Sequence, residues 1–77
     1  MKLIDALQKA KEDGFKKAIH HPYTYRARSI DSHIAETEKT MNDSDYKGSV
    51  ASNVIWKYNA KEQSIDSDND QWFDLIK

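Results

Sequence analysis

An α+β fold, in which an N-terminal amphipathic helix packs on a small antiparallel sheet, is the class this sequence predicts. The first dozen residues carry one apolar stripe at helical spacing. Later segments carry short aromatic and β-branched runs, and clusters of turn-forming residues separate them. The chain of 77 residues reads as one small domain, 1–77, with no linker or internal repeat.

Over residues 2–13, Leu3, Ile4, Leu7 and Ala10 fall on one stripe while Lys9, Glu12 and Asp13 turn away, which predicts a helix. Gly14 follows at once and suits the left-handed position that closes a helix. From Phe15 to Ile30 the odd positions Phe15, Ile19, Tyr23, Tyr25 and Ala27 predict an apolar strand face. Lys16, His20, Thr24, Arg26 and Arg28 are expected on the opposite face. Pro22 lacks a backbone donor and places a bend, bulge or edge at His21, so the segment reads as two short strands or one bent strand.

Residues 31–52 fit two patterns. Ile30, Ile34, Thr37 and Met41 have helical spacing, whereas Glu36 to Thr40 also alternates like an edge strand; helix is the preferred reading. Asn42 to Asp45 and Lys47 to Ser49 are rich in turn formers and predict a loop. Val54, Trp56 and Tyr58 alternate with Asn53, Ile55 and Lys57 as a strand with one strongly apolar face. Asn59 to Asp70 reads as a turn or short helix, and Trp72 to Ile76 as a closing strand.

Leu, Ile, Val and Phe make up only 14 of the 77 residues, a small store of core. A net charge of −1 and the two Trp, four Tyr and two Phe argue for a folded domain over a disordered one. A domain so lightly provisioned gains from burial between copies, so a homo-oligomer is expected. Twelve basic against thirteen acidic residues give none of the excess positive charge of a general nucleic-acid binder. With no cysteine there is no disulfide framework, thiolate metal site or cysteine nucleophile. No apolar run approaches the roughly 20 residues of a membrane span, and a cytoplasmic protein with no membrane partner is expected.

Several constellations invite a chemical reading. Asp66 to Asp70 imitates the start of a calcium loop, but Gln71 stands where glycine is required and Lys77 where glutamate is, so a solvated acidic turn is the better account. His20-His21 and His33 invite a metal reading, but His20 and His21, as neighbours on a strand, point to opposite faces and do not easily share one ion; with no third ligand indicated, no metal is expected. No serine lies in a nucleophile elbow, and no enzyme is expected.

Arg26 and Arg28, two apart on one strand, lie about 7 Å from each other and suit phosphate groups. Thr24 sits beside them, and Tyr25, Trp56 or Trp72 offers a base a stacking surface, so these six residues form the candidate ligand site. The competing account is that both arginines solvate an outer face and pair with carboxylates, with the aromatics in the core. A second candidate is a partner surface made by Asp66, Asp68, Asp70 and Asp74, joined by Asp43 and Asp45 if the loops meet. Such a surface imitates a nucleic-acid backbone and blocks a basic groove, as small anti-CRISPR inhibitors do.

The helix with Ala6-Leu7 and Ala10-Lys11, the following Gly14 to Ile19, the strand with Trp56, the polar turn at Gln63 and the closing Asp70-Gln71-Trp72 resemble the Thoeris anti-defence sponges of phages and their related small domains. The chain departs from that pattern at Ile19 to Tyr23, where the family carries an Arg-x-x-Trp-like element. Ser64 to Ser67 is less leucine-rich than the family's closing segment, and residues 31–52 have no counterpart. The resemblance implies a non-enzymatic oligomer that sequesters a nucleotide-derived immune signal at sites between subunits, in the host cytoplasm.

Overall fold

A computed structural model describes residues 1–42, 55–68 and 70–77. The order along the chain is α1 (Leu3–Glu12), β1 (Lys17–His21), β2 (Arg28–Ser29), α2 (Ile30–Asn42), β3 (Trp56–Asn59), β4 (Ser64–Ser67) and β5 (Trp72–Ile76). The strands form one five-stranded sheet, β2-β1-β5-β4-β3, in which every neighbour pair is antiparallel. The fold is α+β, with the N-terminal helix packed on an antiparallel sheet.

Helix α1 buries Leu3, Ala6, Leu7 and Ala10, with Asp5 in its first turn and Lys9 and Lys11 in its last, each charge favourable to the helix dipole. Its end is a Schellman motif: Gly14 has φ +97°, its N–H donates to the Lys11 carbonyl, and the Phe15 N–H donates to the Ala10 carbonyl, both at 3.1 Å. Phe15 then folds back into the core at 3% exposure. Helix α2 starts where the Ser29 hydroxyl accepts the Ser32 N–H at 3.1 Å, an N-cap. It packs on α1, and Lys11 of α1 pairs with Asp31 of α2 at 2.6 Å.

The two helices share one core with a single face of the sheet, built from Leu3, Leu7, Phe15, Ala18, Ile30, Trp56, Ile65, Phe73 and Leu75 among others. Phe73 is its centre. His20 stacks on it at 4.3 Å between ring centroids, His33 of α2 meets it edge-on at 5.2 Å, and Trp56 leans on it at 5.6 Å. The histidines satisfy their ring nitrogens locally: His33 Nε2 donates to the Ala18 carbonyl, and His20 Nε2 to Gln71 Oε1, both at 2.9 Å.

Three expectations change. In β1 the inward residues are Ala18 and His20; Ile19 faces outward, while Tyr23 and Tyr25 lie beyond the strand and are 69% and 87% exposed. Phe15 belongs to the helix-closing turn, so alternation counted from it runs one residue out of phase with the strand. Arg26 precedes β2 and only Arg28 lies in it, so the two do not share a strand. The stretch from Asn59 to Asp70 contains strand β4, paired on both sides, instead of a short helix. The acidic loop with Asp43 and Asp45, and Val54, fall outside the described residues, whereas the preferred helix after Ile30 is present.

Because Phe73 is touched from both strands and helix, Phe73→Ala is expected to cost about 3–5 kcal/mol in denaturant unfolding; a loss below about 1 kcal/mol contradicts this packing. Burial holds the pKa of His20 and of His33 below the ordinary histidine value, against the opposing hydrogen bonds from Gln71 and Ala18. Glu36 also raises both, whereas charge on Arg28 lowers His33 and charge on His21 lowers His20. Both are therefore neutral in the native state, while the unfolded chain takes up protons near pH 6.5. Stability is complete above that pH and is lost as pH falls from there through the lowered folded values. The slope is up to about 1.4 kcal/mol per pH unit for each group. Denaturation midpoints at pH 7.5 and 5.5 test this: the midpoint falls, and it falls less in His33→Gln, which keeps a donor but cannot titrate.

Candidate functional site

The helices cover one face of the sheet, and the register determines what stands on the other. His21 pairs with Trp72, Trp72 with Asp66, and Asp66 with Lys57. These four side chains therefore form one transverse row across β1, β5, β4 and β3, with strands about 4.8 Å apart. The adjacent row on this open face is Ile19, Asp74, Ser64 and Asn59.

An aromatic stack occupies one end of the first row. The His21 ring lies on Trp72 at 5.0 Å and 15°, and Tyr25 meets His21 edge-on at 6.1 Å. Trp72 remains 38% exposed. His21 Nε2 lies 2.8 Å from Asp74 Oδ2, outside hydrogen-bond alignment, so the contact is a charge contact when the ring is protonated. Thr24, Tyr25 and Arg26 belong to the β1–β2 connection, where the Thr24 hydroxyl accepts the Arg26 N–H at 3.0 Å. This Asx-like turn folds the connection back beside β1, and the Thr24 N–H donates to the His20 carbonyl at 3.0 Å.

At the other end of the row a hollow of about 380 Å³ is lined by Ile55, Lys57, Asp66, Ser67 and Asp68. Its size is at the lower end of small-molecule sites. Asp68 accepts the Ile55 N–H at 3.3 Å, and Ile55 itself is 58% exposed. A stacking surface and a small hollow with an apolar wall and two carboxylates thus adjoin on the open face of the sheet.

The six residues expected to form one ligand site are divided by the sheet. Tyr25 and Trp72 meet His21 at one end of the open face, and Thr24 and Arg26 belong to the same β1–β2 connection as Tyr25. Arg28 pairs with Ala18 in the ladder and reaches the helix layer, where its guanidinium meets Glu36 at 2.6 Å. Trp56 is 1% exposed and packs on Phe73, so it has no open ring face to offer a base. This is the competing account of the sequence, realised for Arg28 and Trp56 but not for Arg26 or Trp72.

Asp66, Asp68, Asp70 and Asp74 are all exposed. Asp66 and Asp74 share the open face, while Asp68 and Asp70 lie in the turn between β4 and β5, Asp70 with φ +56°. Lys57 opposite Asp66 dilutes their negative charge. On the helix side, Tyr58 donates to Asp13 Oδ2 at 2.5 Å; burial first, then that hydrogen bond and the Asp13 charge, push its pKa up to about 12.

Two residues of this face escaped the sequence. His21 appears there only as a metal candidate, and Lys57 only as the polar neighbour of two aromatics. Both owe their place to cross-strand partners that no local pattern announces.

No helix among the described residues is long and apolar enough to cross a membrane. Compared with family models, with curated proteins and with solved structures, the chain matches none.

Proposed function

We propose that this protein is a non-enzymatic binder that captures a nucleotide-derived ligand on the open face of its sheet and holds it without degrading it. The observation that carries this reading is the exposed Trp72, backed by stacked His21 and flanked by Tyr25. A base stacks on such a surface whatever its sequence context, and a preordered platform loses little entropy on binding. Arg26, in the same connection as Tyr25, supplies positive charge for a phosphate. Arg28 is the weaker candidate, because its guanidinium is already held by Glu36. The likeness to phage anti-defence sponges supports a counter-defence role for this capture, with a nucleotide-derived immune signal as the proposed ligand and a homo-oligomer as the proposed acting form.

The exposed carboxylates of Asp66, Asp68, Asp70 and Asp74 support a second reading, an inhibitor that occupies a basic surface on a host protein. It ranks lower because Lys57 interrupts the negative charge. Its signature is partner binding that weakens with salt and is lost when Asp66, Asp68 and Asp70 are replaced by Asn.

Native mass spectrometry with a mixture of linear and cyclic nucleotides, followed by titration of each retained one, tests the first reading. Trp72→Ala is expected to remove about 1–3 kcal/mol of binding, roughly a 5- to 150-fold loss. Arg26→Ala weakens binding, and Arg28→Ala leaves it within about twofold, since its charge is engaged elsewhere. Retention of no nucleotide, or binding that survives Trp72→Ala unchanged, overturns the proposal.

A further inference from the structure

The hollow beside Trp72 carries a selectivity that the stacking surface lacks. Indole stacking accepts any base, so discrimination has to come from groups at the base's edge. Asp66 is the direct cross-strand partner of Trp72 and lines the hollow. Side chains so paired have Cβ atoms about 4.5–5.5 Å apart, within reach of the edge of a base lying on the indole. Among the described contacts Asp66 takes only a long one, 3.5 Å from the Ser64 hydroxyl, which leaves acceptor capacity for a ligand. Asp68, by comparison, already accepts the Ile55 N–H.

An ionised carboxylate only accepts hydrogen bonds. Its two oxygens are best satisfied by two adjacent donors on one planar edge. Guanine presents such an edge, with the ring N1–H beside the exocyclic N2 amine. Adenine and cytosine each set an amine beside a ring-nitrogen acceptor, and uracil sets its N3–H between two carbonyls; each turns a lone pair toward one carboxylate oxygen. The glycosidic nitrogen lies opposite that edge, so the sugar and phosphate point away from Asp66 and are left to Arg26, and Ile55 gives the hollow an apolar wall.

We propose that the hollow lined by Asp66, Lys57 and Ile55 is a base-edge subsite that selects guanine nucleotides, with Asp66 reading the N1–H and N2 amine of a base stacked on Trp72. The proposal rests on nucleotide capture at the open face and adds to it the identity of the base and the residue that reads it.

The test is titration of the full chain with guanosine, inosine and adenosine 5′-monophosphates, repeated in Asp66→Asn and Arg26→Ala. The native chain is expected to bind the guanosine nucleotide at least about tenfold more tightly than the adenosine one, because the wrong edge leaves an acceptor facing an acceptor. The inosine nucleotide, which lacks the amine, falls between them. Asp66→Asn, an isosteric change at an exposed position, collapses the ratio. Arg26→Ala weakens binding of all three and preserves the ratio. Equal affinity for guanosine and adenosine nucleotides, or an unchanged ratio in Asp66→Asn, overturns the selectivity and leaves nucleotide capture standing. Binding of none of the three here, and of no nucleotide in the mass-spectrometric panel, overturns both.

Discussion

Phe73 is the point on which the architecture depends. Its ring is held between His20 of β1, His33 of α2 and Trp56 of β3, so one side chain ties the helix layer to three strands. That packing sets the parity of β5. With Phe73 and Leu75 directed inward, Trp72, Asp74 and Ile76 face outward. Antiparallel pairing then carries the same division to the neighbouring strands. A shift of one residue would exchange the two faces completely, which is why burial of Phe73 specifies the outer face as firmly as the inner one.

The outer face is chemically different from the core it backs. The inner layer combines aliphatic side chains with neutral histidines that spend their ring N–H groups on Ala18 and Gln71. The outer row sets an indole, an imidazole, a carboxylate and an ammonium group side by side on consecutive strands. Each is fixed by a ladder rather than by a loop, and ligand-binding groups on such elements are held more accurately than those on loops. The connection bearing Thr24, Tyr25 and Arg26 lies at the end of the row, where a small adjustment can follow a ligand without disturbing the sheet. On the proposed capture reading, recognition falls to the ladder-fixed groups at the centre of the row and charge to Arg26 at its rim.

How much of this was legible in the sequence depends on whether the deciding contacts were local. Helix α1 could be read from the spacing of Leu3, Leu7 and Ala10 and from Gly14, because periodicity and capping operate within a few residues. Strand β5 was equally plain, since Trp72 to Ile76 alternates in burial as well as in type. Strand β4 was missed: Ser64 to Ser67 holds one buried apolar residue, Ile65, and becomes a strand because β3 and β5 pair on both its sides. The inward face of β1 was misread because Phe15, though buried, belongs to the end of a helix. Of the candidate site, Trp72, Tyr25, Thr24 and Arg26 were found from residue type. Trp56 shows the limit of that approach, because an aromatic suited to stacking on a ligand is equally suited to a core, and only its inward parity decides.

The central claim is that the open face, and not the arginine-bearing helix side, receives the ligand. The chain carries its own pair of reporters, one tryptophan on each side of the sheet: Trp72 is partly exposed on the outer row and Trp56 is buried in the core. Two-dimensional ¹H–¹⁵N NMR during nucleotide titration resolves their indole N–H signals separately. The Trp72 signal is predicted to shift progressively to saturation, together with the backbone amides of His21 and Asp66, while the Trp56 indole stays in place. Movement of the Trp56 indole and of the amides of Arg28 and Glu36, with Trp72 unchanged, would contradict the account.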